Sequence, residues 1–175
     1  MSHVPEPHFS LESDLEDAVV EEVSGILESA RADTESVQTF FLLRHFGLDV
    51  GAFIDIGERA AAKFIEIKAF TGGRAGGVGF GNQRGLGRQV DLLSLADEDI
   101  ALADQFVCWI LGNALEPAGS ERFVFFSSIE AREAAMGNVS SGKQNNLNLR
   151  RLMTKAVTWE VLCDRLAEFL VPRQS

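Results

Sequence analysis

Tyrosine is missing from this 175-residue chain, cysteine occurs twice and proline four times. Each shortage excludes something. Cys108 and Cys163 stand far apart and alone, so neither the paired spacing of a zinc site nor a disulfide framework is present, and a reducing, cytoplasmic setting is expected. Histidine is equally sparse. His3 and His8 lie near the start and His45 in an apolar stretch, so no imidazole cluster points to zinc or to a histidine base. No run of roughly 18 apolar residues is available to cross a bilayer. The opening MSHVPEPHFSLESDLED also lacks the positive start and apolar stretch of a secretory signal, so neither a membrane nor export is expected.

What remains is the composition of one soluble domain, 46% hydrophobic and 24% charged, long enough to bury a sizeable core. The net charge of −10 argues against nucleic acid until its distribution is read. Residues 1–35 hold ten acids against Arg31 alone, leaving the rest of the chain nearly neutral. Within that remainder, Arg59, Lys63, Lys68, Arg74, Arg84 and Arg88 oppose only Glu66 over residues 59–90, and Lys143, Arg150, Arg151 and Lys155 face no acid over 140–155. A local basic surface on an acidic protein is therefore compatible with a nucleic-acid partner.

Residues 1–9, with Pro5 and Pro7, read as a flexible tail. Leu11, Leu15, Val19, Val23, Ile26 and Leu27 then recur at helical spacing behind Ser10, a capping residue, with acids between them. This acidic helix packs on the outside, where it offers a surface to a protein partner. A second helix is expected from Asp33 or Thr34 to Gly47, because the apolar run Val37 to Leu43 is dense and glycine suits a helix end. From Val50 the period becomes two, predicting a hairpin of Phe53-Ile54-Asp55-Ile56 and Lys63 to Phe70 about a turn at Gly57-Glu58-Arg59. Residues 72–87 hold eight of the sixteen glycines and read as a mobile loop. A helix from Arg88 or Gln89 to Leu95 is expected next. Gln105–Leu111 fits a buried strand or the end of a long helix, and the strand is preferred because Arg122–Ser127 reads as another that Gly112 to Ser120 would join to it as a hairpin; a helix over Glu130–Met136, a polar loop to about Asn148 and a last helix from near Thr158 follow. The expected class is α/β, a mixed central sheet flanked by helices.

The hairpin carries the chemistry. Strand side chains alternate, so Ile54, Ile56, Ile65 and Ile67 take one face while Asp55, Glu66 and Lys68 take the other. Charge within such apolar strands requires mutual pairing or a metal ion. A half-exposed salt bridge is the plain alternative. If the register aligns them, two carboxylates form a site for a hard cation such as Mg²⁺, which takes its other ligands from water and phosphate. A neighbouring lysine can orient a nucleophile and offset charge developing in phosphodiester hydrolysis.

Asp55 followed by Glu66-Ile67-Lys68 on paired strands resembles the PD-(D/E)XK nuclease superfamily, with its restriction-endonuclease-like fold. The resemblance covers roughly residues 34–127, with Ile54 in place of the usual proline before the aspartate. It implies a Mg²⁺-dependent DNA endonuclease, with Mn²⁺ a possible substitute. Asp55 and Glu66 would hold the metal and Lys68 would be the catalytic lysine. Members with an early helical glutamate and a glutamine after the hairpin further imply Glu35 and Gln89, with Glu28 competing if the helices are offset. A homodimer is implied if both strands of a duplex are cut.

Arg74, Arg84 and Arg88 in the glycine-rich segment are candidates for closing over a phosphate backbone. Lys143, Arg150 and Arg151 are candidates for gripping phosphates. The segment 137–144 has a nucleotide-loop spacing but Gln144 where a hydroxyl is needed. The alternative function is a non-catalytic nucleic-acid-binding or regulatory module that keeps the nuclease fold.

Overall fold

The computed structural model describes residues 4–33, 37–46, 48–57, 59–72, 77–80, 96–134 and 145–171. It is an α/β protein with a five-stranded mixed sheet. Strands β1 (Thr39–Phe46), β2 (Leu48–Asp55) and β3 (Ala60–Phe70) form an antiparallel meander. The sheet continues from β3 to a parallel strand and then to an antiparallel one, in the order β1-β2-β3-β5-β6, where β5 is Val107–Asn113 and β6 is Phe123–Phe126. The β5–β6 hairpin agrees with the sequence reading.

Alternation along these strands builds two cores. On one face Val50, Ala52, Ile54, Ile65, Ile67, Cys108 and Ile110 pack against helix α1 (Glu12–Asp33) and helix α5 (Trp159–Leu170). On the other, Trp109, Leu111, Val124 and Phe126 pack against α3 (Ser128–Ala134) and α4 (Leu149–Met153). Leu15, Val19, Val23 and Leu27 of α1 are fully buried, each contributing about 1.5–3 kcal/mol of gross burial energy. The acidic helix is therefore an integral part of the core, with only its polar side turned outward. The remaining helix, α2 (Asp97–Ala103), buries Ile100. Among the described residues no helix is long and apolar enough to cross a membrane.

Four expectations are corrected. The second expected helix is strand β1 over residues 39–46, with Phe40 and Leu42 turned toward the core and Phe41 outward, stacked on Phe53 at 4.8 Å. A short apolar run carries no period that separates helix from strand, and here pairing with β2 decides it. The expected tail is docked from Val4 onward: Phe9 is buried, and Val4 O accepts the Trp159 indole N–H at 3.1 Å. Within the glycine-rich segment, β4 (Gly77–Phe80) is a strand. It pairs antiparallel with β7 (Asn145–Asn148), which occupies the end of the expected polar loop. Residues 77–80 and 145–148 thus form a separate two-stranded sheet.

Candidate functional site

The β2–β3 ladder runs from Asp55↔Ala60 to Val50↔Ile65 and then gives way. Beyond it, two β3 backbone N–H groups are taken up by carboxylates. Ile67 N–H donates to Asp49 Oδ2 at 2.6 Å and Ala69 N–H to Glu12 Oε2 at 3.3 Å. A strand leaving its neighbour must satisfy its donors elsewhere, and here acidic side chains do so. On the other flank β3 remains paired with β5, Glu66 opposite Trp109 and Lys68 opposite Leu111, which keeps the side chains of this part of β3 on fixed faces.

Glu66 and Lys68, two residues apart on one strand, project to the same face. The Lys68 ammonium lies 2.8 Å from Glu12 Oε1 and 3.6 Å from Glu66 Oε1. Glu12 comes from the first residue of α1, Asp49 from the start of β2, and Glu66 is only 2% exposed. Three carboxylates therefore crowd one ammonium. Burial, then the charge of Asp49, pushes the Glu66 carboxyl up from 4.5 to about 7, with Glu12 adding to the shift and Lys68 opposing it. Burial alone would depress the Lys68 ammonium. The hydrogen bond to Glu12 and the charges of Glu66, Glu12 and Asp49 outweigh it and hold Lys68 above its ordinary value.

The residues expected to converge do so only in part. Glu66 and Lys68 meet, but Asp55 sits at the opposite end of the hairpin. Its register partner is Ala60, six positions before Glu66 on β3. At ~3.4 Å per residue the separation is about 20 Å. Asp55 accepts the Gly57 N–H at 3.0 Å, the role of a turn residue. The assignment of Asp55 to a site with Glu66 and Lys68 is corrected by this register. Glu28 pairs with Arg31 at 2.6 Å, and its sixteen-residue offset from Glu12 along α1 amounts to about 24 Å. Arg150 and Arg151 are exposed on α4. Glu35, Gln89, Arg74, Arg84, Arg88, Lys143 and the 137–144 segment lie outside the described residues.

Two residues the sequence reading missed complete the cluster. Asp49 was within reach of simple arithmetic, because reflecting Glu66 through the Asp55–Ala60 turn lands on it. Glu12, 56 residues from Lys68, carries no such signal.

Among the described residues no group of three or more His, Cys, Asp or Glu side chains is arranged to hold a metal ion. Mg²⁺ asks for less than a complete protein cage, since one or two carboxylates suffice when waters and phosphate oxygens supply the rest. Asp49 and Glu66 have that oxygen chemistry, and Glu66, whose carboxyl is pushed up first by burial and then by the charge of Asp49, would have to give up its proton to take a cation. The chain matches no protein-family profile, no curated protein and no solved structure.

Proposed function

We propose that this protein is a Mg²⁺-dependent endonuclease that hydrolyses DNA phosphodiester bonds, a member of the PD-(D/E)XK superfamily with a restriction-endonuclease-like fold. The reading rests on one observation: Asp49, Glu66 and Lys68 gather where β2 and β3 part, with Glu12 bound to the lysine. Asp49 takes the role first expected of Asp55. Asp49 and Glu66 would hold the cation, whose contribution when bound is to polarise phosphoryl oxygens and acidify a coordinated water. Lys68 holds a proton firmly, so it acts as a fixed cation that orients the attacking water and offsets charge developing on the phosphate. Glu12 aims that ammonium. In the net reaction the water oxygen bonds to phosphorus, the bond to one ester oxygen breaks, and the departing oxygen takes up a proton.

The pairing of β4 with β7, next to α4, supports a phosphate-gripping role for the exposed Arg150 and Arg151. Duplex cleavage would call for a homodimer.

The test is a panel of plasmid, linear, branched and single-stranded DNA with Mg²⁺, Mn²⁺ or chelator. Cleavage that needs the metal and is lost in Asp49→Ala and Lys68→Ala is expected. Equal products with wild type and both variants would refute the reading.

A second reading is favoured by a specific feature: the Lys68 ammonium itself lies between Glu12 and Glu66, where it neutralises carboxylates without a metal. A non-catalytic nucleic-acid-binding module would then result. Salt-dependent DNA binding without cleavage identifies it.

A further inference from the structure

A continuous set of contacts leads from Arg122 to Glu12. Arg122, only 4% exposed, donates through Nε to Glu6 Oε1 at 2.7 Å, through Nη2 to Pro7 O at 2.9 Å and through Nη1 to Glu116 O at 3.1 Å. The other Glu6 oxygen accepts the Gly119 N–H at 2.7 Å. The guanidinium also lies 4.8 Å from the Phe9 ring centroid and 5.2 Å from that of Phe123. Phe9 in turn fills a notch that exists because residue 112 is glycine: a Cβ there would stand 2.7 Å from both Phe9 and Leu15. The chain then turns into α1, with the N–H groups of Ser10 and Leu11 bound to Asp14 at 3.1 and 3.0 Å.

Glu12 is the first residue of α1, a position where helices fray and a long side chain is poorly held by its own element. Its grip on Lys68 and on the Ala69 N–H therefore needs an anchor upstream. The fork of Arg122, desolvated and committed to three acceptors, supplies one far firmer than an exposed ion pair.

We propose that Arg122 is a positioning residue: by clasping residues 6–9 it fixes the start of α1 and so holds the Glu12 carboxylate on Lys68 and Ala69. Its effect on turnover rests on the hydrolytic role proposed above. Its effect on Glu12 does not.

The test is amide hydrogen exchange at Ile67 and Ala69 in the full-length chain, comparing wild type, Arg122→Gln, Glu6→Gln and Glu12→Ala. Ile67 donates to Asp49 and serves as the internal control. Arg122→Gln is expected to speed exchange at Ala69 about tenfold, the loss of one hydrogen bond to a charged group, while Ile67 stays within about twofold. Cleavage should show kcat reduced about tenfold at unchanged KM, with no further loss when Arg122→Gln is added to Glu12→Ala. Unchanged exchange at Ala69, equal acceleration at Ile67 and Ala69, or a fully additive double variant would overturn the assignment. Should Arg122→Gln fail to fold, Glu6→Gln decides by the same criteria, since it leaves the carbonyl contacts of Arg122 in place. A wild type that cleaves nothing removes the hydrolytic role, and the exchange rates still judge Arg122.

Discussion

Glu12 Oε1 stands 2.8 Å from Lys68 Nζ across 56 residues of sequence, joining the start of the first helix to the end of the third strand. That contact turns a pair of strand charges into a cluster. Among the described residues, Glu66 at 3.6 Å and the charge of Asp49 are the other acidic influences on Lys68.

The first prediction separates the two aspartates. Asp49→Ala should lower kcat for Mg²⁺-dependent cleavage by about 10²–10³, the scale on which losing a group that acts on developing charge is felt. Asp55→Ala, changed at the far turn, should stay within about twofold. Rates measured side by side on one substrate decide it, and the reverse ranking would return the site to Asp55.

Glu66 makes stability depend on pH with an unusual sign. Because its folded value is raised from 4.5 to about 7, the fold favours the protonated form. That contribution is complete below the lower value and is lost as the pH climbs through the upper one, at most about 3 kcal/mol. Urea midpoints of wild type relative to Glu66→Gln should fall between pH 5 and pH 8. A flat difference would show that Glu66 ionises normally.

Cation binding requires the ionised carboxylate, so it is linked to the same proton. Mg²⁺ affinity should weaken about tenfold per pH unit below the Glu66 value. Titration calorimetry in two buffers of different ionisation enthalpy should report proton release near pH 6.5. Asp49→Asn should abolish the binding signal.

Gly112 tests the docking of the N-terminal arm. Gly112→Ala forces a methyl group against Phe9 and Leu15 and should cost about 1–3 kcal/mol of folding stability, measured by denaturant midpoint. A neutral substitution would show that Phe9 yields its place easily.

Part of the architecture was legible in the pattern of residues along the chain. The strand over Lys63–Phe70 follows from alternation, and the β5–β6 hairpin from a second apolar run, Arg122–Ser127, that gives Gln105–Leu111 a partner where its own pattern fits strand or helix. Strand β1 was not legible, because Thr39–Phe46 is apolar at both parities and only its neighbour β2 makes it extended. In the site, Glu66 and Lys68 were legible as charges on the polar parity of an apolar strand. Asp55 satisfied the same parity and was misleading, since alternation assigns a face and says nothing of position along the hairpin.

Composition and alternation by themselves therefore determined the class of the fold, the two faces of β3 and the isolation of its charges, because these depend on neighbours along the chain. The partners of those charges were decided in space. Where β2 parts from β3, backbone N–H groups must find acceptors, and the carboxylates that reach them, Asp49 and Glu12, are selected by register and by the docking of α1. Distances of a few ångströms between segments far apart in sequence arise only once the chain has packed.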